Sequence, residues 1–436
     1  MSEALKKMNI KPAGVQVAAD NNRRVSSGVM EARAVKPDPE GRTAYMLEKE
    51  PTRVTLDDFR TLLMSAVMSG ASDVTIQSDQ QPRAEIHGTL YRATRRPWSA
   101  SEVDLVLVEI YGGANARTEI NGQRVLDFSY ELNLAGGDKQ RFRVNATGIF
   151  GRDGAGVEIT MRALPSKTPD LEMVSLTEEE MIALSPKDGL IVIAGATGSG
   201  KSTSMAAVTR SHLESVDRPV KIVDIQAPIE YTYRDVTDKL AGSSSVIGQS
   251  EVGRHIGSFA IGVHSALRRK PHIINVGEAR DFETISASLE ACLTGHLVYT
   301  TTHAGSVSDA IRRLLTTFPG NERESRAYDL ISGLRFLMVQ HLLPRADKIG
   351  RIPVREYLRF TDRVRERLLG APITDWPLIV GDEVSNEQPN KTPEDMRLSL
   401  KDVTSDYYDK GYITRADMLL LSRQKEASDS QPIEKD

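Results

Sequence analysis

The chain has 436 residues, 39% hydrophobic and 27% charged, which suits a globular protein with more than one packed domain. Its net charge of −4 shows none of the basic surplus of a phosphate-gripping nucleic-acid binder, so nucleic acid is not a default partner. A single cysteine, Cys292, excludes an internal disulfide and any cysteine zinc cluster. No apolar run nears the roughly 20 residues of a bilayer span, and Met1–Asn9 does not read as a signal peptide. The expectation is a cytoplasmic protein that reaches a membrane only through partners.

Residues 1–50 mix Lys, Arg, Asn, Pro and Ser without periodicity and read as a flexible extension. A domain is expected over 51–165. Thr55 is placed to cap a helix whose apolar positions, from Leu56 through Phe59, Leu62 and Leu63 to Ala66 and Val67, recur at helical spacing, and Gly70 suits its stop. Val74 and Ile76, then Ala84 and Ile86, alternate with polar neighbours, and Gly88 marks a turn. Further strands are expected at Asp127–Leu132, Arg141–Ala146 and Val157–Arg162, giving a small α+β domain. Residues 166–178 are rich in Pro, Ser and Thr and read as a linker.

Over 179–345 the pattern changes. Leu190–Ala194, Val220–Ile225, Ile273–Val276 and Leu297–Thr301 are short apolar runs separated by helical patterns, as in a parallel sheet covered on both faces. Glu322–Leu343 and a segment near Arg415–Arg423 read as helices, and 346–423 as a mainly helical region ending in a polar tail, 424–436.

Gly195-Ala196-Thr197-Gly198-Ser199-Gly200-Lys201-Ser202 satisfies the Walker A pattern. The glycines let consecutive backbone N–H groups point at phosphate oxygens, and the helix that follows adds its positive end. Lys201 is expected to reach the β- and γ-phosphates of ATP, with the Ser202 hydroxyl a ligand of Mg2+ and Thr203 completing the nucleotide-binding turn. Such a loop needs an acidic partner from a neighbouring strand. Ile273-Ile274-Asn275-Val276-Gly277-Glu278 supplies one, with Glu278 placed to polarise the attacking water and to join the magnesium shell. A solvated turn glutamate is the bland alternative; the order after the phosphate loop and the flanking Ala279-Arg280-Asp281 favour the catalytic one.

Gly277-Glu278-Ala279-Arg280-Asp281 resembles the Walker B segment of the secretion ATPase superfamily, whose members power type IV pilus retraction, type II secretion and type IV secretion. Thr294–His303 resembles its histidine box and Pro228-Ile229-Glu230 the end of its aspartate box. Ala71-Ser72-Asp73, Asp127–Glu131 and Arg141–Asn145 resemble its PAS-like N-terminal domain. Gln249-Ser250-Glu251-Val252, Ala266–Pro271 and Ala227–Glu230 are similar to the type IVB branch, the DotB and TraJ ATPases of Dot/Icm secretion and conjugative plasmids. In pilus retraction ATPases, Asp typically stands where this chain has Ala227.

The resemblance implies an α/β fold, a RecA-like P-loop NTPase domain preceded by a PAS-like α+β domain. It implies an ATP hydrolase with ATP and Mg2+ bound, Glu230 at the nucleotide, His303 sensing the γ-phosphate or orienting water, and Arg143 and Arg162 supplying charge across the domain boundary. Arg141 is a third candidate by its place on a strand, whereas His296 is as readily a structural hydrogen-bonding residue. A homo-hexamer is implied, recruited to the inner membrane by membrane and cytoplasmic components of a secretion or conjugation apparatus, without membrane insertion; pilus retraction is the alternative. One position departs from the pattern: Gln226 stands where the aspartate box usually carries Glu, and glutamine can hold a water but cannot act as a base. Asp224, on the same strand face, is a candidate to compensate.

Overall fold

The computed structural model describes residues 32–134, 139–152, 154–238, 244–385 and 395–421, and within it the chain divides into two units. One takes the residues up to Lys167 together with Ala227–Thr232; the other takes Thr168–Gln226 and the chain from Tyr233 onward.

The first unit opens on α1 (Leu56–Met68), where Thr55 and Asp58 form a reciprocal capping box that satisfies two backbone N–H groups. Its sheet is antiparallel and ordered β3-β2-β1-β6-β5-β4, from β1 (Ala71–Gln77), β2 (Arg83–Ile86), β3 (Thr89–Arg92), β4 (Leu126–Asn133), β5 (Lys139–Ile149) and β6 (Gly156–Leu164). Phe59, Leu62 and Leu63 of α1 pack with Val74, Ile76, Val144, Ile159 and Met161 of the sheet. Two further helices, α2 (Ala100–Tyr111) and α3 (Ala116–Asn121), were not expected, although Ser99 and Glu102 make a second capping box before the apolar run of α2. The packed chain also starts earlier than residue 51. Ala44, Met46 and Leu47 are buried in this core, and Val35 N–H donates to Ser69 Oγ at 2.8 Å. Residues 1–31 and the tail 422–436 lie outside the described residues.

The second unit is built on an eight-stranded sheet ordered β14-β13-β12-β7-β11-β10-β8-β9. Its strands are β7 (Gly189–Ala194), β8 (Lys221–Gln226), β9 (Val246–Glu251), β10 (Ile273–Val276), β11 (Leu297–Thr302), β12 (Leu334–Pro344), β13 (Arg351–Arg359) and β14 (Arg397–Leu398). The six strands from β12 to β9 run parallel, and β13 and β14 add an antiparallel edge. All residues of β7, β10 and β11 are buried, the mark of a sheet covered on both faces. The covering helices include α4 (Glu178–Ala183), α5 (Lys201–Glu214), α6 (Arg234–Thr237), α7 (Phe259–Leu267), α8 (Phe282–Leu293), α9 (Val307–Thr317) and α10 (Arg323–Gly333).

Three expectations fail here. The segment Glu322–Leu343 is not one helix: α10 stops at Gly333 and β12 follows at once. The region 346–423 is not mainly a helical appendage, because β13 and β14 extend the sheet before and after α11 (Asp362–Leu369) and α12 (Trp376–Ser385), with α13 (Leu400–Asp409) beyond. The ATPase sheet therefore does not end at residue 345. A strand buried on both faces loses its alternation and cannot be told from a buried helix by periodicity. The linker expected at 166–178 is also shorter. Thr168 Oγ1 donates to Asp235 Oδ1 at 2.6 Å, its carbonyl accepts from Arg210 at 2.8 Å, and the Ser175 carbonyl accepts from Arg355 at 2.7 Å, all inside the second unit.

Candidate active site

The phosphate loop joins β7 to α5 at the carboxyl edge of the parallel strands, where ligands sit in open α/β sheets. Its glycines are required by geometry at two places. Gly195 has φ +147°, and a Cβ there would lie 2.3 Å from the Gln340 carbonyl oxygen and 2.5 Å from Ser199 Oγ. Gly200 has φ +87°, and a Cβ there would lie 2.8 Å from Gln340 Nε2. Gly200 caps α5 without a side-chain hydrogen bond and the first turn carries no acidic residue, so the helix's N–H groups face outward at a positive end. Buried Ser199 Oγ has no hydrogen-bond partner among the described residues. Ala196, Thr197 and Gly198 form the exposed tip, with Ser202 and Thr203 half-buried behind it. Lys201 Nζ donates to the Gly195 and Ala196 carbonyls at 2.8 and 3.0 Å, lying back over its own loop. A cradle of this kind fits a nucleotide's phosphates.

The loop is held from behind by Gln340, which the sequence reading missed. Its Nε2 donates to the Ser199 carbonyl at 2.7 Å, and its Oε1 accepts from Ser204 Oγ and Arg355 Nε, both at 2.9 Å. Gln340 is 2% exposed and stands with His341 in the otherwise apolar run Phe336–Leu343 of β12; a polar pair in such a run was the signal available.

Glu278 follows β10 at the same carboxyl edge and is half-exposed. Its Oε1 lies 3.3 Å from His303 Nε2, and its Oε2 lies 4.0 Å from Arg280 Nη1. The turn that presents it is strapped to β11: Thr301 Oγ1 donates to the Gly277 carbonyl at 2.6 Å, and Ala279 N–H donates to the Thr301 carbonyl at 2.9 Å. Since Thr302 pairs with Ala194 across β11 and β7, His303 emerges beside the start of the phosphate loop. The structure thus brings Glu278 and His303 together. His296 is elsewhere, at the opposite end of β11, where its carbonyl accepts from Gly189 N–H at 3.0 Å and its Nδ1 lies 3.1 Å from the Ala291 carbonyl; it is a structural residue.

The remaining predicted residues belong to the first unit. Arg143 and Arg162 face each other in the β5–β6 register, and Arg162 Nε donates to Asp73 at 2.8 Å. Arg141 is only 5% exposed and already committed, donating to the Ile229 and Glu230 carbonyls at 2.6 and 3.0 Å. It is a structural clamp on the Ala227–Thr232 segment, which removes it from the candidates. Glu230 lies on that segment, half-buried.

Across residues 49–376 the sequence matches the family described as type II/IV secretion system protein. The chain belongs to the type II/IV secretion ATPase superfamily. Within the superfamily its likeness runs to the type IVB, DotB branch. The Legionella pneumophila ATPase DotB superposes with a TM-score of 0.76 at 36% identity, over 86% of this chain and 98% of that one. The pilus retraction motor PilT with bound ADP superposes with a TM-score of 0.67 at 27% identity, over 83% and 96%. A twitching motility protein of Neisseria gonorrhoeae is 34% identical over 295 residues, 67% of this chain and 74% of that protein. Membership of this superfamily implies nucleotide binding and ATP hydrolysis, and the second unit is the P-loop secretion ATPase fold expected from the motifs.

Proposed function

We propose that this secretion ATPase converts ATP and water to ADP and phosphate with Mg2+, as a hexameric cytoplasmic motor of a type IVB secretion or conjugative transfer apparatus. The observation that carries the reading is the uncapped glycine cradle of Gly195–Ser202 on the same sheet edge as the Glu278–His303 pair. An incoming triphosphate offers Lys201 Nζ a better acceptor than the loop carbonyls it now holds. Glu278 is the carboxylate that accepts the attacking water's proton, and His303 beside it fixes the orientation of that carboxylate. Bound magnesium, held through Ser202 with Glu278 in its shell, would neutralise charge building on the phosphates. Glu230 is assigned to the nucleotide, and Arg143 and Arg162 to the γ-phosphate, on the family resemblance. The first unit is read as the PAS-like domain on the same ground.

Type IV pilus retraction is the second reading, favoured by the likeness to PilT and to the twitching motility protein. Its chemistry is identical, so the separating measurement is cellular: loss of the gene should abolish secretion or conjugative transfer under the first reading and twitching under the second. For the chemistry itself, phosphate release by the purified protein is compared with Lys201→Ala. Removal of the lysine is expected to lower turnover by about 100-fold or more; equal rates would show that the loop is not the hydrolytic site.

A further inference from the structure

Asp224 of β8 is 1% exposed, and its side chain is held by two glutamine amides. Oδ1 accepts from Gln226 Nε2 at 2.7 Å and Oδ2 from Gln249 Nε2 at 2.7 Å, while the Asn275 amide on the adjacent strand donates to Thr209 Oγ1 at 2.9 Å. Both glutamines thus turn their NH2 groups to Asp224 and their carbonyl oxygens away. For Gln226 that direction is toward Gly277, where a Cβ would lie 2.5 Å from Gln226 Oε1. Gly277 immediately precedes Glu278. Ile225, next to Gln226, pairs with Val276, next to Gly277. The half-exposed Gln226 therefore presents a fixed acceptor oxygen at the turn that carries the base.

We infer that Gln226 Oε1 accepts a hydrogen bond from the water polarised by Glu278, and that Asp224 is a positioning residue that holds the amide in this orientation. The inference rests on the hydrolytic reading given above. It has an unusual consequence for the glutamine: a carboxyl group at position 226 would be a poorer residue here, because it has no NH2 to give Asp224, so the two carboxyl groups would repel or share a proton and the acceptor oxygen would no longer be fixed. The defect should be relieved when Asp224 is made an amide donor.

The test measures kcat and KM for ATP, with melting temperature, for the full-length wild type, D224N, Q226E and the double variant D224N/Q226E. Wild-type turnover that depends on Lys201 first establishes the hydrolytic reading independently. D224N and Q226E are each expected to lower kcat by about 10- to 100-fold with little change in KM, as loss of an orienting partner does. The double variant is expected to recover most of that loss, a coupling that two independent structural defects would not give. Turnover of Q226E at or above wild type overturns the proposal, as does a D224N defect confined to melting temperature. Should D224N or Q226E fail to fold, Gln226→Met, which keeps the bulk and deletes the acceptor oxygen, must still bind ATP and lose turnover; unchanged kcat in that variant also overturns the proposal.

Discussion

A P-loop lysine resting on the Gly195 and Ala196 carbonyls marks a loop already folded into its cradle, held by partners on its inner side. Gln340 is the chief of these, bonded at once to Ser199, Ser204 and Arg355. Gln340→Leu should cost about 1–3 kcal/mol, because a buried carbonyl, hydroxyl and guanidinium each lose a partner; chemical denaturation measures the loss, and a raised KM for ATP should accompany it. Gly195→Ala should cost about 1–3 kcal/mol as well, since the atom its Cβ meets first is a backbone oxygen that cannot swing aside, and the variant should lose nucleotide binding. The loop was fully legible in the sequence, because its chemistry demands fixed residue types at fixed spacing. Gln340 was not, because its role depends on β12 lying next to β7, a pairing between residues more than a hundred positions apart. Arg141 could not be set apart from Arg143 and Arg162 by its place on a strand for a related reason: strand arginines look alike in sequence, and only burial separates a clamp from a free charge.

At the scale of elements, local signals were read well and long-range ones poorly. Thr55, with Asp58 three residues on, announces α1, and the apolar runs of β7, β8, β10 and β11 announce the parallel sheet. The run Leu334–Leu343 was read as helix because sheet strands buried on both faces carry no period of two. One cap carries a prediction of its own. Glu102, at the start of α2, accepts from Ser99 N–H, Val54 N–H and the Arg96 guanidinium. Burial alone would raise its carboxyl pKa, but the Arg96 guanidinium and the backbone donors outweigh burial and hold it at about 2, against an ordinary 4.5. Since the folded value is the lower one, the stabilisation is present above pH 4.5 and lost as the pH falls toward 2. Glu102→Gln should therefore cost about 1.5–3 kcal/mol at pH 7. The gap between variant and wild type should close across that acid range, as followed by thermal melts at a series of pH values.

On the scale of the whole molecule, composition and charge said little about function; the family was carried by ordered motifs spread along the chain, and the match over residues 49–376 bears it out. Arg143 and Arg162 stand on a different unit from Lys201. Replacing either with alanine should lower turnover more than ATP binding, which paired binding and phosphate-release assays would show. Sedimentation velocity in the presence of ATP checks the proposed hexamer. The most direct test of the account is a Glu278→Gln variant assayed for ATP binding and for phosphate release in a single turnover. The account predicts binding close to wild type and release slowed by about 100-fold or more; wild-type release from Glu278→Gln would contradict it.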